Sequence, residues 1–231
     1  MALSNDQTSN GGKQISVKVI NKGIGGNNTT QGLARFDKDV VGIHPSVVVL
    51  YFGMNDAVNS MNSVPVEKYR ENLSAMIARA RAAGITPVLM TITPVIESYV
   101  LARHKKEYFE NDPPNAKVKR YNDVIKSIAA EQLLKLVDLN AIFVSRGEPS
   151  EGASSLLKNK ANLKAPDGVH YTPEGYRAVA ESAFAVVREL VKKGDTVVCL
   201  GDSLTFGAGA KGAGAVDGET YPAVLFRLLN H

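Results

Sequence analysis

Five short runs of Val, Ile and Leu do most to limit how this chain can fold: ISVKVI (15–20), SVVVLYFG (46–53), TPVLMTI (86–92), LKLVDL (134–139) and DTVVCL (195–200). None keeps the strict apolar–polar alternation of a strand with one wet face. Each asks instead for cover on both sides, as strands of a parallel sheet do. Helical spacing fills the stretches between them. Val66, Tyr69, Leu73, Met76, Ile77 and Ala80 recur at three- and four-residue intervals, with Gly84 as a stop. Val118, Tyr121, Val124, Ile125 and Ile128 repeat the pattern. Thr172 and Pro173 supply a cap and first turn for a third helix, whose buried stripe is Tyr176, Val179, Ala180, Ala183, Val187, Leu190 and Val191. Strands alternating with helices predict a three-layer α/β/α sandwich around a five-stranded parallel sheet.

A chain of 231 residues that is 44% apolar suits one substantial core better than two small ones, so residues 15–231 are expected to form a single domain. Residues 1–14, polar and glycine-rich, read as a tail or linker. The segments 95–116 and 142–168 match neither strands nor main helices, and are expected to cover a site at the carboxyl edge of the sheet. The single cysteine, Cys199, sits in the apolar run VVCL, which excludes an intrachain disulfide framework and a thiolate metal cluster and predicts a core side chain. The first residues contain no apolar h-region, and no run approaches the length of a membrane span. The expectation is a soluble chain without integral membrane association, cytoplasmic as given and secreted if a leader has been removed. The net charge of +4 arises from scattered Lys and Arg, with clusters at His104–Lys106 and Lys117–Arg120 that read as solvated faces. Without interleaved aromatics these clusters predict no nucleic-acid partner.

Four separated blocks carry chemistry-bearing residues: NKGIGGNNTT (21–30), GMND (53–56), DGVH (167–170) and GDSL (201–204). Singly, each is weak. Ser203 follows a buried strand, where a hydroxyl can be held rigidly, yet Gly-Asp-Ser alone is more often a turn. An imidazole ordinarily changes charge near neutral pH, so His170 is suited to take a proton from a hydroxyl, although a lone histidine is usually not catalytic. Asp167, three residues earlier, is placed to orient the imidazole or to make an Asx turn before the Thr172 cap. Asn55 and the glycine-rich turn at Gly26 offer N–H donors for an oxyanion, or merely satisfy local backbone geometry. Asp202 and Asp56 are expected to organise loops through buried hydrogen bonds. Gly207, Gly209 and Gly212 fit the dinucleotide pattern GxGxxG, but they begin seven residues after Leu200 and no second strand follows. That run reads as a mobile loop beside Ser203.

Together the four blocks resemble those of the SGNH (GDSL) hydrolases, serine esterases and lipases of flavodoxin-like α/β/α fold. The resemblance implies Ser203 as nucleophile, His170 as base and Asp167 as its orienting acid. It implies an oxyanion hole made by Gly26, Asn55 and the Ser203 backbone N–H, with no metal or organic cofactor and a small-molecule ester as substrate. Thioesters, lysophospholipids, acetylated sugars and short aryl esters all fall within the implied range. An acyltransferase or thioesterase would use the same serine, while a noncatalytic carbohydrate- or lipid-binding module would not need every position filled. The order of the blocks departs from the family, in which GDSL opens the domain and DxxH closes it. Moving residues 195–231 ahead of residue 15 restores the family order, so the chain reads as circularly permuted. Both new ends would then lie at the amino edge of the sheet, opposite the site, where breaks are tolerated.

Overall fold

A computed structural model describes residues 16–231. The tail expected at residues 1–14 lies outside the described residues. Five strands form one sheet: β1 (Lys18–Gly23), β2 (Val47–Tyr51), β3 (Thr86–Met90), β4 (Lys135–Val137) and β5 (Thr196–Gly201). Their spatial order is β1-β5-β2-β3-β4, and every pairing is parallel. All of β2 is buried, as are Val197–Gly201 of β5, which accounts for their unbroken apolar sequences.

β1 differs from its predicted span of 15–20. It starts at Lys18 and continues through Asn21, Lys22 and Gly23, into a block expected to be loop. This strand lies at the edge of the sheet, so its polar side chains need not enter the core. Asn21 Oδ1 accepts from Gly23 N at 2.9 Å, and Lys22 Nζ reaches Asp39 Oδ1 at 3.3 Å.

Four longer helices complete the layers. α1 (Val66–Ala82) and α2 (Pro114–Glu131) pack on one face with the short helix Thr29–Ala34, and α3 (Pro173–Val187) and α4 (Tyr221–Leu229) pair on the other. α1 buries Tyr69, Leu73, Met76, Ile77 and Ala80, as their spacing predicts. Thr172 caps α3, its Oγ1 accepting from Gly175 N at 3.1 Å. The helix stops at Val187, so Leu190 and Val191 pack on the core from the turn that carries the chain back to β5. Lys117 departs from the solvated face expected of its cluster. It is buried, with Nζ 3.9 Å from the Tyr108 ring centroid and 3.7 Å from Asp112 Oδ2.

The register of the sheet brings three strand ends together. Gly23 pairs with Gly201 and Gly201 with Tyr51, so β1, β5 and β2 all reach their carboxyl ends on one rung. At the opposite edge, Val17 N donates to Asn230 Oδ1 at 2.9 Å and Asn230 Nδ2 donates to Val17 O at 3.0 Å, tying the entry to β1 to the end of α4.

Candidate active site

β5 runs directly into the turn bearing Ser203. A Cβ on Gly201 would lie 2.1 Å from Thr205 Oγ1 and 2.5 Å from Tyr51 O, so only glycine permits the chain to leave the sheet so tightly. Asp202 then caps the single helical turn Ser203–Phe206, with Oδ1 accepting from Leu204 N at 2.8 Å. Ser203 is the first residue of that turn, where a backbone N–H has no intrahelical acceptor. The downstream glycine run, expected to be mobile, is pinned: Gly214 N donates to Phe206 O at 2.7 Å, and Glu219 N to Lys211 O at 2.8 Å.

The long 142–168 segment carries and braces His170. Leu157 and Tyr171 form an antiparallel bridge. Lys158 N donates to His170 O, and Gly168 N to Lys158 O, each at 2.8 Å. The Lys158 side chain, itself buried, crosses to the serine loop and donates to Ala208 O at 2.9 Å. From this ladder the His170 ring reaches Ser203, with Nε2 3.0 Å from Oγ. Its Nδ1 lies 2.9 Å from Asp167 Oδ2 and 3.1 Å from Oδ1. Asp167 Oδ1 also accepts from Val169 N at 2.9 Å and His170 N at 2.8 Å. One carboxylate therefore makes both an Asx turn and a contact with the ring.

The other two blocks adjoin the serine turn. Gly26 adopts φ +77°, a conformation that favours glycine. Its carbonyl accepts from Asn62 Nδ2 at 2.7 Å. Asn55 lies in the short helix Met54–Val58, and its Nδ2 donates to Asn27 O at 3.0 Å and lies 3.4 Å from Asp202 Oδ2. Asn59 Nδ2 donates to Asn55 Oδ1 at 3.0 Å, which leaves the Asn55 N–H donors facing the serine turn and the glycine block. Buried Asp56 accepts from Thr29 N at 2.9 Å and from the Thr29 hydroxyl, joining the second block to the first.

The carboxyls in this region shift in opposite directions because their surroundings differ. Burial raises Asp167, but the hydrogen bonds and charge of His170 and the two backbone N–H groups outweigh it, holding the group well below the usual carboxylate range. Burial dominates at Asp202 and pushes it up to about 7, and at Asp56 it does so to about 6. Arg103, from the 95–116 segment, places Nη1 3.9 Å from Asp167 Oδ1. Among the described residues no group of three or more His, Cys, Asp or Glu is arranged to hold a metal ion.

The sequence does not single out Lys158 or Arg35. Arg35 follows the Thr29–Ala34 helix and binds Gly201 O and Asn27 Oδ1, partners 166 and 8 residues away. Apart from its position just after the glycine block, nothing in the local sequence marks it.

An imidazole held between a carboxylate and a hydroxyl, at the carboxyl edge of a parallel α/β/α sheet, is the arrangement by which serine hydrolases activate a nucleophile. The sequence matches the GDSL-like lipase/acylhydrolase family over residues 7–178. A Bacillus subtilis protein named as an uncharacterized lipoprotein, YqeF, is 30% identical over 179 residues, 72% of each chain. An acetylxylan esterase of Geobacillus stearothermophilus is 26% identical over 56% of this chain and 58% of its own. The solved structure of a lipase/acylhydrolase from Enterococcus faecalis superposes with a TM-score of 0.54 at 25% identity, over 71% of this chain and 70% of its own. The chain belongs to the GDSL-like lipase/acylhydrolase family, and so is a carboxylic ester hydrolase of the SGNH kind. No helix among the described residues is long and apolar enough to cross a membrane.

Proposed function

We propose that this protein is a serine esterase that cleaves carboxylic esters through an acyl-serine intermediate. The observation that carries the reading is the continuous link from Asp167 through His170 to Ser203, at 2.9 and 3.0 Å. His170 Nε2 takes the Ser203 proton as Oγ attacks the ester carbonyl carbon, while Asp167 steadies the imidazolium through Nδ1–H. The Ser203 and Gly26 N–H groups and the Asn55 amide donate to the oxygen that becomes anionic. Collapse of the tetrahedral species breaks the bond to the alkoxy oxygen, and His170 returns the proton to the departing alcohol. Water, deprotonated by the same ring, then releases the carboxylic acid and restores the serine hydroxyl. Ile24, exposed within the glycine block, offers apolar contact to the substrate. The acetylxylan esterase relative supports including acetylated sugars among candidate substrates.

The test is hydrolysis of short-chain p-nitrophenyl esters, acetylated xylan and a thioester by the folded parent and by Ser203→Ala. Turnover that disappears in Ser203→Ala supports the reading. A folded parent inert toward the whole panel refutes it.

The block order is best accounted for by circular permutation. Counted from β5, the spatial order β1-β5-β2-β3-β4 becomes 2-1-3-4-5, the flavodoxin-like order. The family match ends at residue 178, before the GDSL block, as a linear comparison with an unpermuted family would. A chain in which His231 is joined to Ser16 by a short linker and reopened before Asp195 should fold and retain parental turnover. Failure of such chains across several linker lengths would count against permutation. The lipoprotein name of the Bacillus relative supports a location outside the cytoplasm, which fractionation of the native host would check.

A further inference from the structure

Arg35 is the most heavily shared side chain between the blocks. Its side chain is 14% exposed, and its guanidinium donates to four acceptors on three segments. Nε donates to Asn27 Oδ1 at 2.9 Å, in the glycine block. Nη1 donates to Lys22 O, near the end of β1, and to Asp39 Oδ2, each at 2.8 Å. Nη2 donates at 2.8 Å to Gly201 O, the last carbonyl of β5 and two residues before Ser203. The guanidinium carbon lies 5.9 Å from the ring centroid of Phe52, which precedes the GMND block. Asn27 in turn passes the constraint on, because its carbonyl accepts from Asn55 Nδ2 at 3.0 Å.

Gly201 O already accepts from Ile24 N at 3.1 Å, so the Arg35 bond takes up its second lone pair. A planar cation bridging two carbonyls and a side-chain amide adds to the strand pairing, because it fixes the distance between the segments that bear them. We propose that Arg35 is a positioning residue of the ester-cleaving site: it locks the nucleophile strand to the glycine block and, through Asn27, sets the Asn55 amide for the oxyanion. This rests on the reading of Ser203 as nucleophile and Asn55 as oxyanion donor. Lysine at this position keeps the charge near Asp39 but lacks the planar fork, so it cannot hold Asn27, Lys22 O and Gly201 O at once.

A double-mutant cycle separates positioning from simple structural support. The parent, Arg35→Lys, Asn55→Ala and the double variant are assayed for kcat and KM on one p-nitrophenyl ester, with thermal unfolding of each recorded. Arg35→Lys is expected to lower kcat about 10- to 100-fold with KM within about threefold, the scale of a misaligned oxyanion donor. The double variant should fall short of the product of the two single losses by about threefold or more, because the share of the Arg35 effect that runs through Asn55 is already gone. Losses that multiply in full, or a parental kcat in Arg35→Lys, overturn the proposal. Should Arg35→Lys fail to fold, Asn27→Ala breaks the same link from its other end, leaves the Arg35–Asp39 pair in place and is held to the same non-additivity. Ser203→Ala runs alongside. Turnover that survives it sinks the serine reading and this proposal with it, whereas serine-dependent turnover with multiplying losses sinks only the role of Arg35.

Discussion

Gly23 and Gly25 lie two residues apart in the same block, and the structure predicts opposite fates for alanine at each. A Cβ on Gly23 would sit 2.0 Å from the backbone nitrogen of Phe206 and 2.6 Å from both Phe206 Cα and the Thr205 carbonyl carbon. Ordinary contact begins near 3.4 Å, and the obstructing atoms are backbone, so no side-chain rotation relieves the clash. The turn Ser203–Phe206 must retreat by about 1.4 Å relative to β1. Overpacking of this kind costs about 1–3 kcal/mol of stability, or roughly 2–4 °C in Tm for each kcal/mol in a chain of this size. Activity should suffer more, because the moving turn bears Ser203, the proposed nucleophile, and a shift of about 1 Å can cost about a hundredfold in rate. A Cβ on Gly25 meets nothing within 4 Å, and this glycine has no positive φ, so Gly25→Ala should match the parent. Both variants would be measured for kcat on p-nitrophenyl acetate and for Tm. Parental values of both in Gly23→Ala, or a hundredfold loss in Gly25→Ala, would refute the argument that contact between β1 and the serine turn sets the site.

Asp167→Ala should leave more activity than His170→Ala. Comparable triads lose about 10⁴-fold and about 10⁶-fold respectively, and equal losses in kcat would overturn the ranking. Asp202 supplies a pH signature of stability. Its carboxyl sits near 7 in the folded chain against 3.8 ordinarily, so the native state holds the extra proton and stability declines as pH rises from about 4 to about 7. Asp167, shifted downward instead, contributes a slope of opposite sign that lies mostly below about pH 5. Asp202→Asn, which retains an acceptor for Leu204 N, should therefore show a shallower fall in Tm across this range, with the residual slope left to Asp56. Parallel Tm curves for parent and variant would contradict the assignment.

Legibility in the sequence follows burial. β2 and β5 sit inside the sheet with both faces covered, so their sequences are apolar without interruption and announce themselves. β1 lies at the edge and admits Asn21 and Lys22, so an apolar pattern misplaces its ends. The helix stripes are legible because spacing encodes a face, although spacing alone extends α3 past Val187 to Leu190 and Val191. The four blocks stand out because serine, histidine, aspartate, asparagine and glycine carry their chemistry in their own side chains or in their lack of one. Arg35, Lys117 and Lys158 are opaque for the opposite reason. Arg35 and Lys158 act on backbone carbonyls of distant segments, and Lys117 is buried against an aromatic ring, none of which a local pattern records.

The place of β5 in the sheet has a consequence for how the protein is made. Among the described residues β1 pairs only with β5, and β2 meets β5 on one side. A ribosome moving along this message therefore releases β1 with no strand to pair with, and leaves one long side of β2 unzipped, until β5 emerges after the other four strands. A half-built sheet with an open slot of backbone donors and acceptors is an aggregation template, and the nascent chain must keep it shielded. The segment that finally fills the slot also brings Ser203. A product stalled before β5 therefore lacks both the strand that closes the sheet and Ser203.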